Sequence, residues 1–146
     1  MAETGRQEER ASFLDGMTKV WNDLRKNNQL IDATLISSDG ISYPVHRAVL
    51  AGYSRFFRAL FTNPLHTDEK NRVHLQNVSS DVLSSLLTYI YDKKLDIDNN
   101  TVTKLLHASD YLSILEVHQA CVTFLKSSIC PSNCLSIRQF ARDHFL

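Results

Sequence analysis

The chain is poor in the residues that break or bend a backbone, with four glycines and three prolines in 146 residues. Gly5, Gly16, Gly40 and Gly52 stand too far apart to cradle a phosphate, and no G-x-S-x-G, Walker or dinucleotide motif is present. Net charge is absent too: 16 Lys plus Arg balance 16 Asp plus Glu. A nucleic-acid surface ordinarily needs a basic excess, so no nucleic-acid partner is expected. No apolar run approaches the length of a membrane span, and no apolar signal segment leads the chain, so neither membrane nor export is expected. Three cysteines, an odd number, then point to reduced thiols in the cytoplasm, with the nucleus open as well.

The polar residues assemble no catalytic motif. Six histidines (His46, His66, His74, His107, His118 and His144) are scattered over separate segments, and a triad is recognised only by geometry. Cys130 and Cys134 lie four apart, with Pro131 between them and Cys121 and His118 upstream. Zinc sites favour tighter paired spacings, so these thiols read as structural. We therefore expect no enzyme activity, no metal and no cofactor.

What is present is ordered material for one domain. Apolar residues make up 43% and charged residues 22%, ordinary values for a globular chain large enough to bury a core. Residues 1–11 are charged and poor in large apolar groups, which predicts a flexible tail. From Phe13 the pattern changes: Phe13, Met17, Val20, Trp21 and Leu24 form one stripe of an amphipathic helix that Asn27-Asn28 end. From Asp32 to Ser37 apolar and polar residues alternate; Asp39-Gly40 then supplies a turn and Ile41-Ser42-Tyr43 can pair back, a hairpin signal.

Helical spacing resumes after Pro44 through Val45, Val49, Leu50, Phe56, Phe57, Leu60 and Phe61. A polar connection, residues 62–72, leads to a short strand at Val73-His74-Leu75. Ser79 or Ser80 can cap a helix carrying Val82, Leu83, Leu86, Leu87, Ile90 and Tyr91. Leu95 and Ile97 alternate as an edge strand would, and Asn99 or Asn100 can cap the next helix through Val102, Leu105, Leu106, Ala108 and Leu112. Residues 114–129 make another helix, and Pro131 opens a last one. This is an α+β plan, a small mixed sheet flanked by helical hairpins.

The leading Asp32, the pair His46-Arg47 followed by Ala48-Val49-Leu50, and the Ser54-x-x-Phe57-x-x-x-Phe61 run closely resemble the opening of a BTB (POZ) domain. Leu86-Leu87-Thr88-Tyr89-Ile90-Tyr91 and Leu105-Leu106-His107-Ala108-Ser109-Asp110-Tyr111-Leu112 resemble later signatures of that family. The tail from Ser132 to Ala141 is similar to the start of the BACK extension of Kelch-like proteins. The resemblance implies a BTB domain over residues 12–127 and the first BACK helices over 128–146. It implies a substrate-binding part, expected as a propeller, outside this chain.

Several further expectations follow from the resemblance. The domain would homodimerise through Phe13, Met17, Val20, Trp21 and Leu24. It would serve as a non-catalytic substrate adaptor of a cullin-3 ubiquitin ligase, delivering protein substrates for ubiquitination. Phe57, Leu60, Phe61, Leu65, Thr67, Tyr111 and Leu112 would contact the cullin-3 N-terminal region. In the family a loop motif of hydrophobic residue, any residue, then Glu makes part of that contact. Here it falls on Leu65-His66-Thr67: the hydrophobic anchor is kept and Thr67 replaces the Glu. Asp32, His46 and Arg47 would line a charged pocket near the dimer interface, against the simpler reading of Arg47 in a surface ion pair. Two other functions fit the resemblance, the dimerisation domain of a transcriptional repressor and an oligomerisation module that binds no cullin.

Overall fold

The Asp39-Gly40 turn folds the chain back on itself because Gly40 sits at φ 87, where a side chain would be strained. The computed structural model describes residues 16–63 and 72–128, together with Arg138 and Arg142. The expected tail, Phe13, Leu65, Thr67 and nearly all of the BACK-like segment lie outside the described residues. On either side of the turn, strands β1 (Ala33–Ile36) and β2 (Ser42–Val45) pair antiparallel, with Ala33 opposite Val45. Strand β3 (Arg72–His74) joins the other edge of β1 in parallel, so the sheet order is β2-β1-β3. Pro44 is tolerated because β2 is an edge strand, where a missing N–H leaves no ladder incomplete.

Six helices surround this sheet in the described residues. Helix α1 covers residues 16–26 ahead of the hairpin. Helices α2 (Arg47–Tyr53) and α3 (Arg55–Thr62) follow β2 and are separated by Ser54 alone. After β3 come α4 (Ser80–Asp92), α5 (Val102–Tyr111) and α6 (Leu115–Ser127). Their apolar faces meet in one core that includes Leu35, Leu50, Phe57, Leu83, Leu87 and Leu106. The alternating Leu95 and Ile97 pack half-buried against that core but form no strand, since no ladder partner lies beside them among the described residues.

Two helices are capped from a distance. The Ser79 hydroxyl makes no capping bond to α4; the Asp39 carboxylate of the hairpin turn does so instead. Its Oδ1 accepts the Ser80 N–H at 2.9 Å and its Oδ2 accepts the Ser80 hydroxyl at 2.5 Å. At the opposite end of the hairpin, Asp32 Oδ1 accepts the Arg47 N–H at 2.7 Å and so caps α2. A carboxylate satisfies a free N–H and also favours the positive end of the helix dipole. Both helices are thus tied to the sheet at their first residues.

Candidate functional site

The described residues singled out from the sequence fall on or beneath two exposed faces and in one charged pair. On α1 the apolar stripe divides. Met17 and Val20 are 43% and 54% exposed, whereas Trp21 and Leu24 are half-buried. The Trp21 ring meets His46 edge-on at 5.2 Å and borders an apolar cleft of about 240 Å³ with Met17, Ala48, Gly52 and Ile90. One helix therefore carries both an anchor to its own domain and an uncovered apolar edge.

The anchor rests on a buried polar network. His46 Nε2 lies 2.9 Å from the Gln29 carbonyl oxygen, which can only accept, so Nε2 donates. Nδ1 then accepts from the Tyr91 hydroxyl at 2.8 Å, and the Tyr91 oxygen accepts the His46 backbone N–H at 2.9 Å. The Arg25 guanidinium covers the Tyr91 ring, 4.6 Å from its centre. Burial pushes the Tyr91 hydroxyl above its ordinary pKa, so it remains a phenol and a donor at neutral pH. His46 is thereby spent on joining α1, α2 and α4.

The three residues expected in a charged pocket make the following contacts. Asp32 and Arg47 do pair, Nε to Oδ2 at 3.2 Å, but their side chains are 43% and 38% exposed. The pair is half-exposed in the single chain, and His46 bonds to Tyr91 and Gln29. The role of Asp32 is the α2 cap, with the ion pair as its second contact.

The second face lies where α3 meets the end of α5. Ser54 positions it: its hydroxyl donates to the Leu112 carbonyl at 2.5 Å and accepts the Phe57 N–H at 3.1 Å, capping α3. Behind this joint Phe57 and Phe61 stack at 5.7 Å in the core. Phe57 and Leu112 are each 1% exposed, so neither offers a surface anchor. Phe57 in α3 and Leu112 at the end of α5 both face the core of this domain. Phe61 is buried with them, and Leu60 is half-buried. The outward aromatic group is Tyr111, 45% exposed, with Phe56 against it at 5.2 Å between ring centres.

Phe56 was not among the residues expected there. Two adjacent phenylalanines on one helix point in different directions, so Phe57 is buried and Phe56 half-buried, a distinction that helical spacing, which includes both, does not draw. Nothing in the spacing could pair Phe56 with Tyr111, which lies on another helix. Cys121 is buried, and burial pushes its thiol up to about 11, the behaviour of a core residue. Among the described residues no group of three or more His, Cys, Asp or Glu could hold a metal ion. No helix among them is long and apolar enough to cross a membrane.

Known proteins share this sequence pattern and fold. The family model described as BTB/POZ domain matches residues 21–129. Kelch-like protein 3 of Mus musculus is 36% identical over 134 residues, covering 92% of this chain and 23% of that protein. Kelch-like protein 2 of Rattus norvegicus is 37% identical over 126 residues, 86% of this chain and 21% of the relative. The chain thus spans less than a quarter of the length of these relatives. Among solved structures, the BTB domain of zebrafish PATZ1 superposes with a TM-score of 0.72 at 24% identity, covering 81% of this chain and 95% of that one. At that identity the likeness concerns the fold.

Proposed function

This chain belongs to the BTB/POZ family, and on that premise we propose that it is the homodimerising interaction domain of a substrate adaptor for a cullin-3 ubiquitin ligase. The observation that carries the reading is its similarity to Kelch-like proteins along 92% of the chain. It recruits and does not catalyse. The α1 edge of Met17 and Val20 supports self-association: two exposed apolar side chains beside a cleft suit a second copy. The Phe56–Tyr111 ridge, with Leu60 beside it, suits a helical partner such as the cullin-3 N-terminal region, since buried aromatic anchors dominate interface energies. Leu65 and Thr67 belong to the same proposed contact on sequence grounds alone. Substrates would bind through a region outside this chain. The setting is the cytoplasm, with the nucleus also open.

Calorimetric titration with the cullin-3 N-terminal region tests the reading. Tyr111→Asp should weaken binding by at least about 30-fold, some 2 kcal/mol, and leave fold and dimer intact. Leu65→Asp should abolish binding, and Thr67→Glu should strengthen it by on the order of 1 kcal/mol. Val20→Asp should give a folded monomer by light scattering, because it places a charge in the apolar contact without touching the core. Absence of wild-type binding at high micromolar concentration, unrescued by Thr67→Glu, would favour the plain oligomerisation module instead.

A further inference from the structure

At the end of α4 the chain takes a left-handed turn at Lys93, φ 58 and ψ 24. Glycine fits such a helix end without steric cost, so a lysine there needs another reason. Its side chain supplies one. The ammonium nitrogen lies 3.8 Å from the centre of the Tyr53 ring and 5.1 Å from that of Tyr89. It also lies 3.9 Å from Oε2 of Glu116. The two rings stand at 79° with centres 6.4 Å apart, so they wall the nitrogen on two sides. The Tyr89 hydroxyl donates to the same Glu116 oxygen, which fixes ring and carboxylate together. Burial, and then that bond and the Glu116 charge, raise the Tyr89 hydroxyl further above its ordinary pKa, so the donor persists at neutral pH.

The three walls come from three helices. Tyr53 ends α2, Tyr89 lies in α4 and Glu116 sits in the first turn of α6. We infer that Tyr53, Tyr89 and Glu116 form a cation cage, occupied by Lys93, that ties the start of α6 to α2 and α4 only while the Lys93 nitrogen is charged. The group this cage accepts is an alkylammonium, because ring faces and carboxylate both attract a cation. A methylated ammonium keeps its charge and stays in place. An acyl amide on the same nitrogen is neutral and leaves. The Lys93 and Glu116 side chains are 41% and 62% exposed, so the nitrogen is open to modifying chemistry. An ion pair this exposed adds little alone, which assigns the selectivity to the rings.

The test compares the whole chain carrying lysine, Nε-trimethyl-lysine or Nε-acetyl-lysine at position 93, read by amide hydrogen exchange at residues 118–121 of α6. Acetyl-lysine and Lys93→Gln should speed exchange roughly fivefold or more, while trimethyl-lysine and Lys93→Arg should match the unmodified protein. Tyr53→Leu should reproduce the acetyl-lysine rate and erase the difference between acetylated and unmodified chains. Equal exchange in acetylated and unmodified protein would overturn the inference. So would slower exchange in Lys93→Gly, which relieves the backbone and empties the cage.

Discussion

The α1 face and the α3–α5 face both expose apolar side chains, yet they stand on different foundations. Under α1 lies a polar joint, in which His46, Tyr91 and Gln29 satisfy one another with directional bonds. Under the Phe56–Tyr111 ridge lies apolar packing, with Phe57 and Phe61 stacked and Leu112 buried. A polar joint sets orientation sharply and contributes little net stability, because folding trades bonds to water for bonds within the protein. Apolar packing contributes more per residue and tolerates small shifts. The α1 face rests chiefly on directional bonds, the α3–α5 face chiefly on packed volume with the Ser54 bonds at its joint.

Four substitutions or conditions probe that contrast. Phe57→Ala should have the largest effect, about 3–5 kcal/mol in urea denaturation, since it opens a cavity beneath the ridge. Tyr91→Phe should cost about 1–3 kcal/mol, because it leaves the His46 N–H and Nδ1 without their partner. A cost for Tyr91→Phe as large as that for Phe57→Ala would erase the distinction between the faces. A double-mutant cycle on Asp32 and Arg47 should give a coupling below about 1 kcal/mol, as expected for a half-exposed pair.

The smallest effect concerns acid. Hydrogen bonds from Ser37, then Ser80, hold the Asp39 carboxyl down at about 2. A carboxyl depressed in the folded state contributes stability that is fully present above its unfolded pKa, near 4, and is lost as pH falls through about 2. Denaturation midpoints should therefore drop more between pH 5 and pH 2 in the wild-type protein than in Asp39→Asn. Parallel pH profiles for the two proteins would remove Asp39 from the acid response.

Much of this architecture was legible because it is local. The Asp39-Gly40 turn, the helical stripe on α4 and the short strand near Val73 each follow from spacing within a few residues. Phe57 and Leu112 stood in apolar helical stripes, but spacing identifies an apolar face without saying whether the core or a partner covers it, and the structure buries both in the core. Ser79 stands at the α4 N-cap as its local chemistry suggests, but the capping carboxylate comes from residue 39, beyond the reach of local spacing. Likewise, Asp98 supplies its carboxylate to the N–H groups of Asn100 and Thr101 ahead of α5, where the asparagines looked the better caps. The Lys93 cage was illegible because its four members are gathered from residues 53 to 116.

The far end of β1 has a consequence for how the chain finds its fold. There the Leu75 N–H reaches the Ile36 carbonyl, the Ser38 N–H reaches Val78, and Asp39 reaches Ser80. These contacts join a hairpin that can close early to a segment that follows more than thirty residues later. Each needs the same long loop to shut first, so they should form together and late. Parallel β3 pairing and the first turn of α4 are then one kinetic event. Until it happens, one whole edge of β1 stands unpaired, an open seam to which another nascent chain could add.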